Sequence, residues 1–308
     1  MLIGGVEAGG TKFNCSIYDD KLGEIRRSIR IKTTTPKETI NRIFNWFELT
    51  TNKLGPIDAI GLGIFGPLDI DSKSDAFGSI GITSKTSWSN INIATQFFDR
   101  FKVPLGFNTD VNSAALGEIH YGDNKHIETL LYITIGTGIG VSVIHKENVL
   151  FKNSHMEIGH MLLPEQHDKS IGSCLYHKNC WEGFCSGRAI ELSSGLRPSE
   201  IPGNSLIWKK VIQYTSIAIY NLILSFSPDK IIIGGSVKNM GYGGDALFIR
   251  CLYNGVNLYN EQYSNQLLTR DMIQLPSLGD KSGIYGAFYM GKRAHAVSSV
   301  NNIQCIVN

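Results

Sequence analysis

Residues 2–18 and 129–145 are written in one pattern, and that repetition constrains the fold more than any other feature. Each is an apolar run, a glycine-rich turn and a second apolar run. The first is Leu2 to Val6, Glu7-Ala8-Gly9-Gly10-Thr11-Lys12 and Phe13 to Tyr18; the second is built around Gly136-Thr137-Gly138-Ile139-Gly140. Short apolar runs joined by glycine turns read as β-hairpins. After the first hairpin, Ile40, Ile43, Phe44 and Phe47 fall at helical spacing within Thr39 to Phe47. Ile57 to Ile64 then reads as a buried strand and Ile93 to Phe101 as a helix. After the second, a helix runs through Trp208, Val211, Thr215, Ile219, Leu222 and Phe226, followed by a strand from Lys230 to Ile233. The expectation is two α/β domains of similar build, residues 1–115 and 116–308, with a last helix at 282–297 that can pack back on the first.

At 308 residues the chain is long enough for two cores. Its 33 glycines exceed ordinary usage of about 7%, so backbone close to a ligand is expected at the turns. The 29 basic and 27 acidic residues leave a net charge of +2 with no basic run, which points away from a nucleic-acid partner. The longest apolar stretch, Ile217 to Phe226, is interrupted by Asn221 and too short to span a bilayer, and Met1-Leu2-Ile3-Gly4-Gly5 carries no basic leader. A cytoplasmic protein without a membrane partner is expected.

Gly9, Gly10, Thr11 and Lys12 offer flexible backbone N–H groups, a hydroxyl and an ammonium to phosphate oxygens; Gly136, Thr137, Gly138 and Gly140 offer the same without the lysine. Neither turn has the P-loop spacing or the strand-turn-helix context of the dinucleotide fingerprint, which disfavours a Rossmann dehydrogenase. If the two halves face one another, both turns reach a shared cleft. A third glycine site, Gly234-Gly235-Ser236, ends the strand Lys230 to Ile233 within the segment 231–237 and is small enough for a nucleobase and ribose to lie against.

Between the hairpins, Asn108, Thr109, Asp110 and Asn112 precede a helix start at Ala114 to Glu118. Asp110 reads either as the cap of that helix or as a functional carboxylate; capping needs one short polar residue, and several are present. Convergent groups of this kind suit a polyhydroxyl ligand. Phosphoryl transfer needs a carboxylate to take the proton of the attacking hydroxyl, and Asp110 is the carboxylate chosen for it.

His160, Cys174, His177 and Cys180 follow the spacing H-x13-C-x2-H-x2-C, four ligands of the kind zinc takes tetrahedrally. With no position left open, the ion is expected to be structural, closing a segment of little apolar content at 157–182.

Taken together, these motifs resemble the ROK family of sugar kinases, most closely its zinc-containing fructokinases. The resemblance is carried by Gly5-Val6-Glu7-Ala8-Gly9-Gly10-Thr11-Lys12, Gly63-Ile64-Phe65-Gly66-Pro67-Leu68-Asp69, Thr109-Asp110-Val111-Asn112 and Ile135 to Gly140. It continues through Glu157-Ile158-Gly159-His160, Cys174 to Cys180 with Glu182-Gly183, and Gly279-Asp280. It implies an actin-like ATPase fold, related to ribonuclease H, and a homodimer. ATP with Mg²⁺ is the implied donor, and Asp110 the general base toward a hexose hydroxyl, fructose O6 in the fructokinases. Gly66, Pro67, Thr109, Asn112, Glu157 and His160 are implied on the sugar side, Gly234, Gly235 and Ser236 on the adenosine side, and zinc on His160, Cys174, His177 and Cys180. The sequence departs from the family pattern at Ser236, where a third glycine is usual, at Asn108, where aspartate is common, and at Ser113 and Met156.

The alternatives within this resemblance are a kinase for mannose, glucose or N-acetylmannosamine, and a non-catalytic sugar sensor. Epimer choice rests on which buried donors a wrong hydroxyl would leave unpaired, and spacing does not read that.

Overall fold

The structure, a computed structural model, describes residues 1–83, 85–150, 155–164, 172–239, 243–262, 268–269, 271–301 and 306–307, with side chains described as far as residue 299. Residues 165–171 of the expected metal segment lie outside the described residues. Along the chain run β1 (Leu2–Ala8), β2 (Lys12–Asp19), β3 (Glu24–Lys32), α1 (Pro36–Leu54), β4 (Ala59–Ile64), α2 (Ile93–Phe101), β5 (Leu105–Thr109) and α3 (Asp110–His120). There follow β6 (Thr129–Ile135), β7 (Ile139–His145), β8 (Asn148–Val149), α4 (Trp181–Cys185), α5 (Gly187–Ser194), α6 (Leu206–Phe226) and β9 (Lys230–Gly234). The last elements are α7 (Asp245–Asn260), β10 (Ile273–Gln274), α8 (Ser282–Asn301) and β11 (Ile306–Val307). The chain divides into two compact units: residues 1–125 with 147–155 and 281–308, and residues 126–146 with 156–280.

The first unit holds a sheet in the order β11-β5-β4-β1-β2-β3. β1 pairs antiparallel with β2 and parallel with β4, and β4 pairs parallel with β5. All six residues of β4 are buried, as a strand covered on both faces requires. The helix α1 starts at Pro36 behind the N-cap Thr35, whose hydroxyl accepts the Glu38 N–H, and stops at Gly55, where φ is +102°. Its buried stripe, Ile40, Ile43 and Phe47, matches the predicted spacing, while Phe44 meets Phe97 and Phe101 of α2 edge-on at 5.0 and 5.3 Å.

α8 belongs to this first unit and lies unusually close to its neighbours. A Cβ on Gly286 would run into the Ser113 carbonyl, and one on Gly117 into the Ser282 carbonyl, so α3 and α8 cross backbone to backbone. Gly61 of β4 likewise leaves room for the Ala287 carbonyl.

The second unit repeats the plan with the sheet order β10-β9-β6-β7, in which β6 pairs antiparallel with β7 and parallel with β9. Its core joins Ile133, Val141, Ile231 and Ile233 of the sheet to Trp181, Trp208, Val211, Ile219 and Leu222 of the helices. Ser205 caps α6, its hydroxyl accepting the Ile207 N–H at 3.3 Å. Two mixed sheets with packed helices make this a two-unit α/β protein of the architecture the resemblance implied. No described helix is long and apolar enough to cross a membrane.

Candidate functional site

In the first unit the turn after β1 is held by three hydrogen bonds. Gly9 N–H bonds to the Lys12 carbonyl at 2.9 Å, and from the end of β3 Thr33 gives its N–H to the Thr11 carbonyl and its hydroxyl to the Gly9 carbonyl, both at 3.0 Å. With those carbonyls occupied, Thr11 and Lys12 are left exposed at the tip. Lys85 adds a second cation that motif reading missed: its Cε lies 3.1 Å from where a Cβ on Gly10 would stand. A Cβ at residue 10 would be a tight contact that pushes the lysine stem outward by a few tenths of an ångström.

Asp110 opens α3 at the end of β5, and here the structure corrects the expected start at Ala114. Thr109 is the N-cap, its hydroxyl accepting the Asn112 N–H at 3.1 Å, so Asp110 is not needed as the cap. The carboxylate of Asp110 accepts the Val111 N–H at 2.8 Å and is half-buried, while Asn108, Thr109 and Asn112 around it are buried. Asn108 Oδ1 accepts both the Thr109 N–H at 2.8 Å and the Asn112 amide at 2.6 Å. Asp110 thus stands on a helix N-terminus, which favours negative charge, and on a network that fixes its backbone. Gly63 of β4 makes the approach possible, since a Cβ there would lie 2.6 Å from that of Ser113. In the Gly66-Pro67 loop the His155 ring packs over Gly66, and its Nδ1 accepts the Leu68 N–H at 3.2 Å.

In the second unit, Gly136 donates to the Gly138 carbonyl at 2.9 Å and accepts from the Gly187 N–H at 2.7 Å, leaving Thr137 exposed. The third glycine site comes to the same place: Ser236 Oγ lies 3.9 Å from where a Cβ on Gly136 would stand. Gly235 has φ of +86° and faces the Ile135 backbone, a conformation and a proximity that only glycine accepts. Ser236 itself is exposed.

The four predicted metal donors also converge in this unit. The donor atoms of His160, Cys174, His177 and Cys180 lie within 4.8 Å of one another. Cys174 Sγ is 3.5 Å from His160 Nδ1 and 3.9 Å from His177 Nδ1, and Cys180 Sγ is 3.7 Å from His160 Nδ1. Zinc–sulfur and zinc–nitrogen bonds of about 2.3 and 2.0–2.1 Å at a tetrahedral angle place S and N about 3.6 Å apart, so the donor set fits that ion. The backbone supports it as well: Tyr176 and His177 N–H point at Cys174 Sγ, and Gly183 N–H at Cys180 Sγ, each at 3.4 Å, a setting suited to thiolates. The two donor segments are stitched by Trp181 N–H to the Met161 carbonyl at 2.9 Å and Leu163 N–H to the Asn179 carbonyl at 2.8 Å. Burial pushes the Cys180 thiol up to about 11, so a metal binding there must displace a proton.

The ROK family profile matches residues 3–294. The chain belongs to the ROK family. Among its relatives, a fructokinase of Pediococcus pentosaceus is 35% identical over 295 residues, covering 96% of this chain and 99% of the relative. A putative fructokinase of Bacillus subtilis is 34% identical over 302 residues, covering 95% and 96%. Among solved structures, a ROK hexokinase from Thermus thermophilus superposes with a TM-score of 0.76 at 22% identity, covering 98% of this chain and all of that one. A ROK glucokinase from Streptomyces griseus, crystallised with glucose and AMPPNP, gives 0.71 at 19% identity, covering 95% and 100%. At such identities the structural likeness speaks for the fold.

Of the residues expected from the ROK resemblance, Gly9 to Lys12, Gly66, Pro67, Thr109, Asp110 and Asn112 lie in the first unit. Gly136 to Gly140, Glu157, Gly234 to Ser236 and the four metal donors lie in the second. Glu157 is exposed. His160 turns Nδ1 to the other donors and leaves Nε2 3.8 Å from Glu182 Oε1. Glu182 carried only a motif match in the sequence; its spacing from Cys180 gave no hint of the contacts it makes.

Proposed function

We propose that this chain is an ATP-dependent fructokinase, transferring the γ-phosphoryl group of ATP to O6 of D-fructose and releasing ADP and D-fructose 6-phosphate. The observation that carries the reading is the run of relatives named fructokinase, at 32–36% identity, four of them covering 93% or more of both chains. Family membership over residues 3–294 and the convergence of the Gly136 turn with Gly234 to Ser236 support it.

In this reading Asp110 takes the hydroxyl proton as the sugar oxygen bonds to phosphorus and the bond to the β-phosphate oxygen breaks. A carboxylate serves because it is half-exposed and its backbone is fixed by the Asn108–Asn112 network. Lys12 and the N–H groups of Gly10 and Thr11, with Lys85 beside Gly10, stabilise phosphate charge, as do the Thr137 and Gly138 N–H groups and the Thr137 hydroxyl of the second turn. Ser236 and Gly235 bound the adenosine, and Thr109, Asn112, Gly66, Pro67, Glu157 and His160 serve the sugar. Mg²⁺ supplies charge neutralisation to the nucleotide phosphates when it is bound. His160, Cys174, His177 and Cys180 hold zinc as a structural ion.

The test is phosphorylation by the purified chain with Mg-ATP across fructose, mannose, glucose, galactose and N-acetylmannosamine. Preference for fructose that is lost in Asp110→Asn supports both substrate and base. Turnover of another hexose moves the specificity and keeps the mechanism. Failure to turn over any sugar, in folded and zinc-loaded protein, overturns the kinase reading in favour of a sensor.

A further inference from the structure

The loop that follows β4 is pinned on one side by backbone and on the other by the imidazole of His155. Leu68 and Ile80 form an isolated antiparallel bridge, in which the Gly81 N–H donates to the Pro67 carbonyl at 2.7 Å and the Asp69 N–H to the Ser79 carbonyl at 2.9 Å. Backbone groups of a strand pair alternate in direction, so the Leu68 N–H between those two bonds points away from residues 79–81. Leu68 is only 3% exposed, and a buried N–H needs a partner. That partner is Nδ1 of His155, 87 residues later in the chain and 3.2 Å away. Because the backbone N–H donates, Nδ1 accepts and the ring carries its proton on Nε2. The same ring covers Gly66, where a Cβ would collide with its Cε1. Pro67, between the two contacts, has no N–H with which to anchor itself.

We infer that His155 is a positioning residue for the sugar: its Nδ1 acceptor sets the Gly66–Pro67 loop, and sugar affinity depends on that acceptor while phosphoryl transfer does not. The sugar role rests on the proposed kinase reading, which puts Gly66 and Pro67 beside the sugar; the anchoring of the loop does not. Without the acceptor, the Leu68 N–H is left buried and unpaired, or the loop shifts to bring it to water. Either way the sugar meets a loop no longer fixed in the conformation that receives it, and part of its binding free energy goes into ordering that loop. Asp110 is held by a separate set of bonds, the Thr109 cap and the Asn108–Asn112 amide contact. The effect therefore falls on sugar binding and not on turnover of bound sugar.

Asparagine and leucine at position 155 have nearly the same shape, and asparagine Oδ1 stands close to where Nδ1 stood. Both lose the ring over Gly66, but leucine alone loses the acceptor. The experiment compares wild type, His155→Asn and His155→Leu in the full-length protein. It measures hydrogen exchange of the Leu68 amide, equilibrium binding of fructose without nucleotide, and KM and kcat with Mg-ATP; if wild type phosphorylates another hexose, that hexose replaces fructose. His155→Leu is expected to exchange the Leu68 amide about tenfold faster and to weaken fructose binding and raise the fructose KM about tenfold, with kcat at saturating sugar and the ATP KM within about twofold of wild type. His155→Asn is expected to recover most of the protection and most of the affinity. Equal weakening in the two variants overturns the inference, because ring packing and not the acceptor then sets the loop. Unchanged fructose affinity in folded His155→Leu overturns it too, as does a fall in kcat at unchanged fructose KM. Should His155→Leu fail to fold, His155→Gln takes its place: its amide reaches the position of Nε2 and leaves no acceptor at Nδ1, so wild-type fructose affinity in that variant overturns the inference. Failure of the kinase reading looks different, with Leu68 exchange responding as described while wild type binds and phosphorylates no hexose, and the sugar role of His155 falls with it.

Discussion

Asn112, in the first turn of α3, donates its side-chain amide to Asn108 Oδ1 on β5 across 2.6 Å, and both side chains are buried. Asp110 sits between them in sequence and owes its backbone position to this bond and to the Thr109 cap. Two substitutions are expected to separate position from chemistry. Asn108→Ala leaves the Asn112 amide and the Thr109 N–H without their shared acceptor and is expected to cost about 1–3 kcal/mol of stability. Asp110→Asn is expected to leave stability nearly unchanged and to lower kcat by about 10² or more. Chemical denaturation and turnover measured on the same preparations check the pair; equal kcat losses without a stability difference would contradict it.

The crossing of α3 and α8 has no spare volume. Gly286→Ala gains about 1 kcal/mol of intrinsic helix preference, but its methyl group meets the Ser113 carbonyl, a backbone atom that no rotamer change can move. Overpacking of this kind costs about 1–3 kcal/mol, so the net effect is expected to be destabilising. The urea midpoint should fall at constant slope, whereas alanine at exposed Gly244, with nothing near its Cβ, tests only the strain of φ +98°.

Thiol reactivity provides a readout of the metal centre that does not depend on activity. Burial pushes the Cys185 thiol up to about 12 and that of Cys15 higher still, so both are expected to stay unlabelled by an alkylating reagent in the folded protein. Cys174 and Cys180 are expected to be protected while metal is bound and to react after chelation. Mapping the labelled sites by mass spectrometry checks this; labelling of Cys174 at full rate in metal-loaded protein would count against the four-donor site.

Much of this was legible in the sequence for a definite physical reason. Period and punctuation are local, so the two hairpins, the stripe Ile40, Ile43 and Phe47 and the helix Ile93–Phe101 came directly from residue order. Metal-donor spacing is likewise local at Cys174, His177 and Cys180, and the donors do meet. The start of α3 was misplaced because Thr109 and Asp110 are both good caps, and only the backbone shows that Thr109 takes the role. Lys85 and Glu182 were beyond reach for a different reason: each acts on a turn 43 or more residues away, at Ile139 for Glu182 and Gly10 for Lys85. Such pairings are set by the tertiary fold and leave no periodic trace.

His120 makes the stability of the first unit depend on pH. It ends α3 with its ring stacked on Tyr289 of α8, centroids 3.5 Å apart, and its buried Nε2 has no hydrogen-bond partner among the described residues. Burial lowers its pKa below the ordinary 6.5, a shift opposed by Glu147 and assisted by Arg293 and Lys125. The unfolded chain therefore binds a proton at a higher pH than the folded one does. Stability is fully present above the unfolded pKa and is lost as pH falls from about 6.5 toward the folded value, because protonation favours the unfolded state across that interval. Replacing His120 with Phe keeps an aromatic ring against Tyr289 and removes the titration. Wild type is expected to lose stability between pH 7 and 5.5 more steeply than His120→Phe, read as the difference in denaturation midpoint across that range. Parallel pH profiles for the two proteins would show that His120 is not the group responsible.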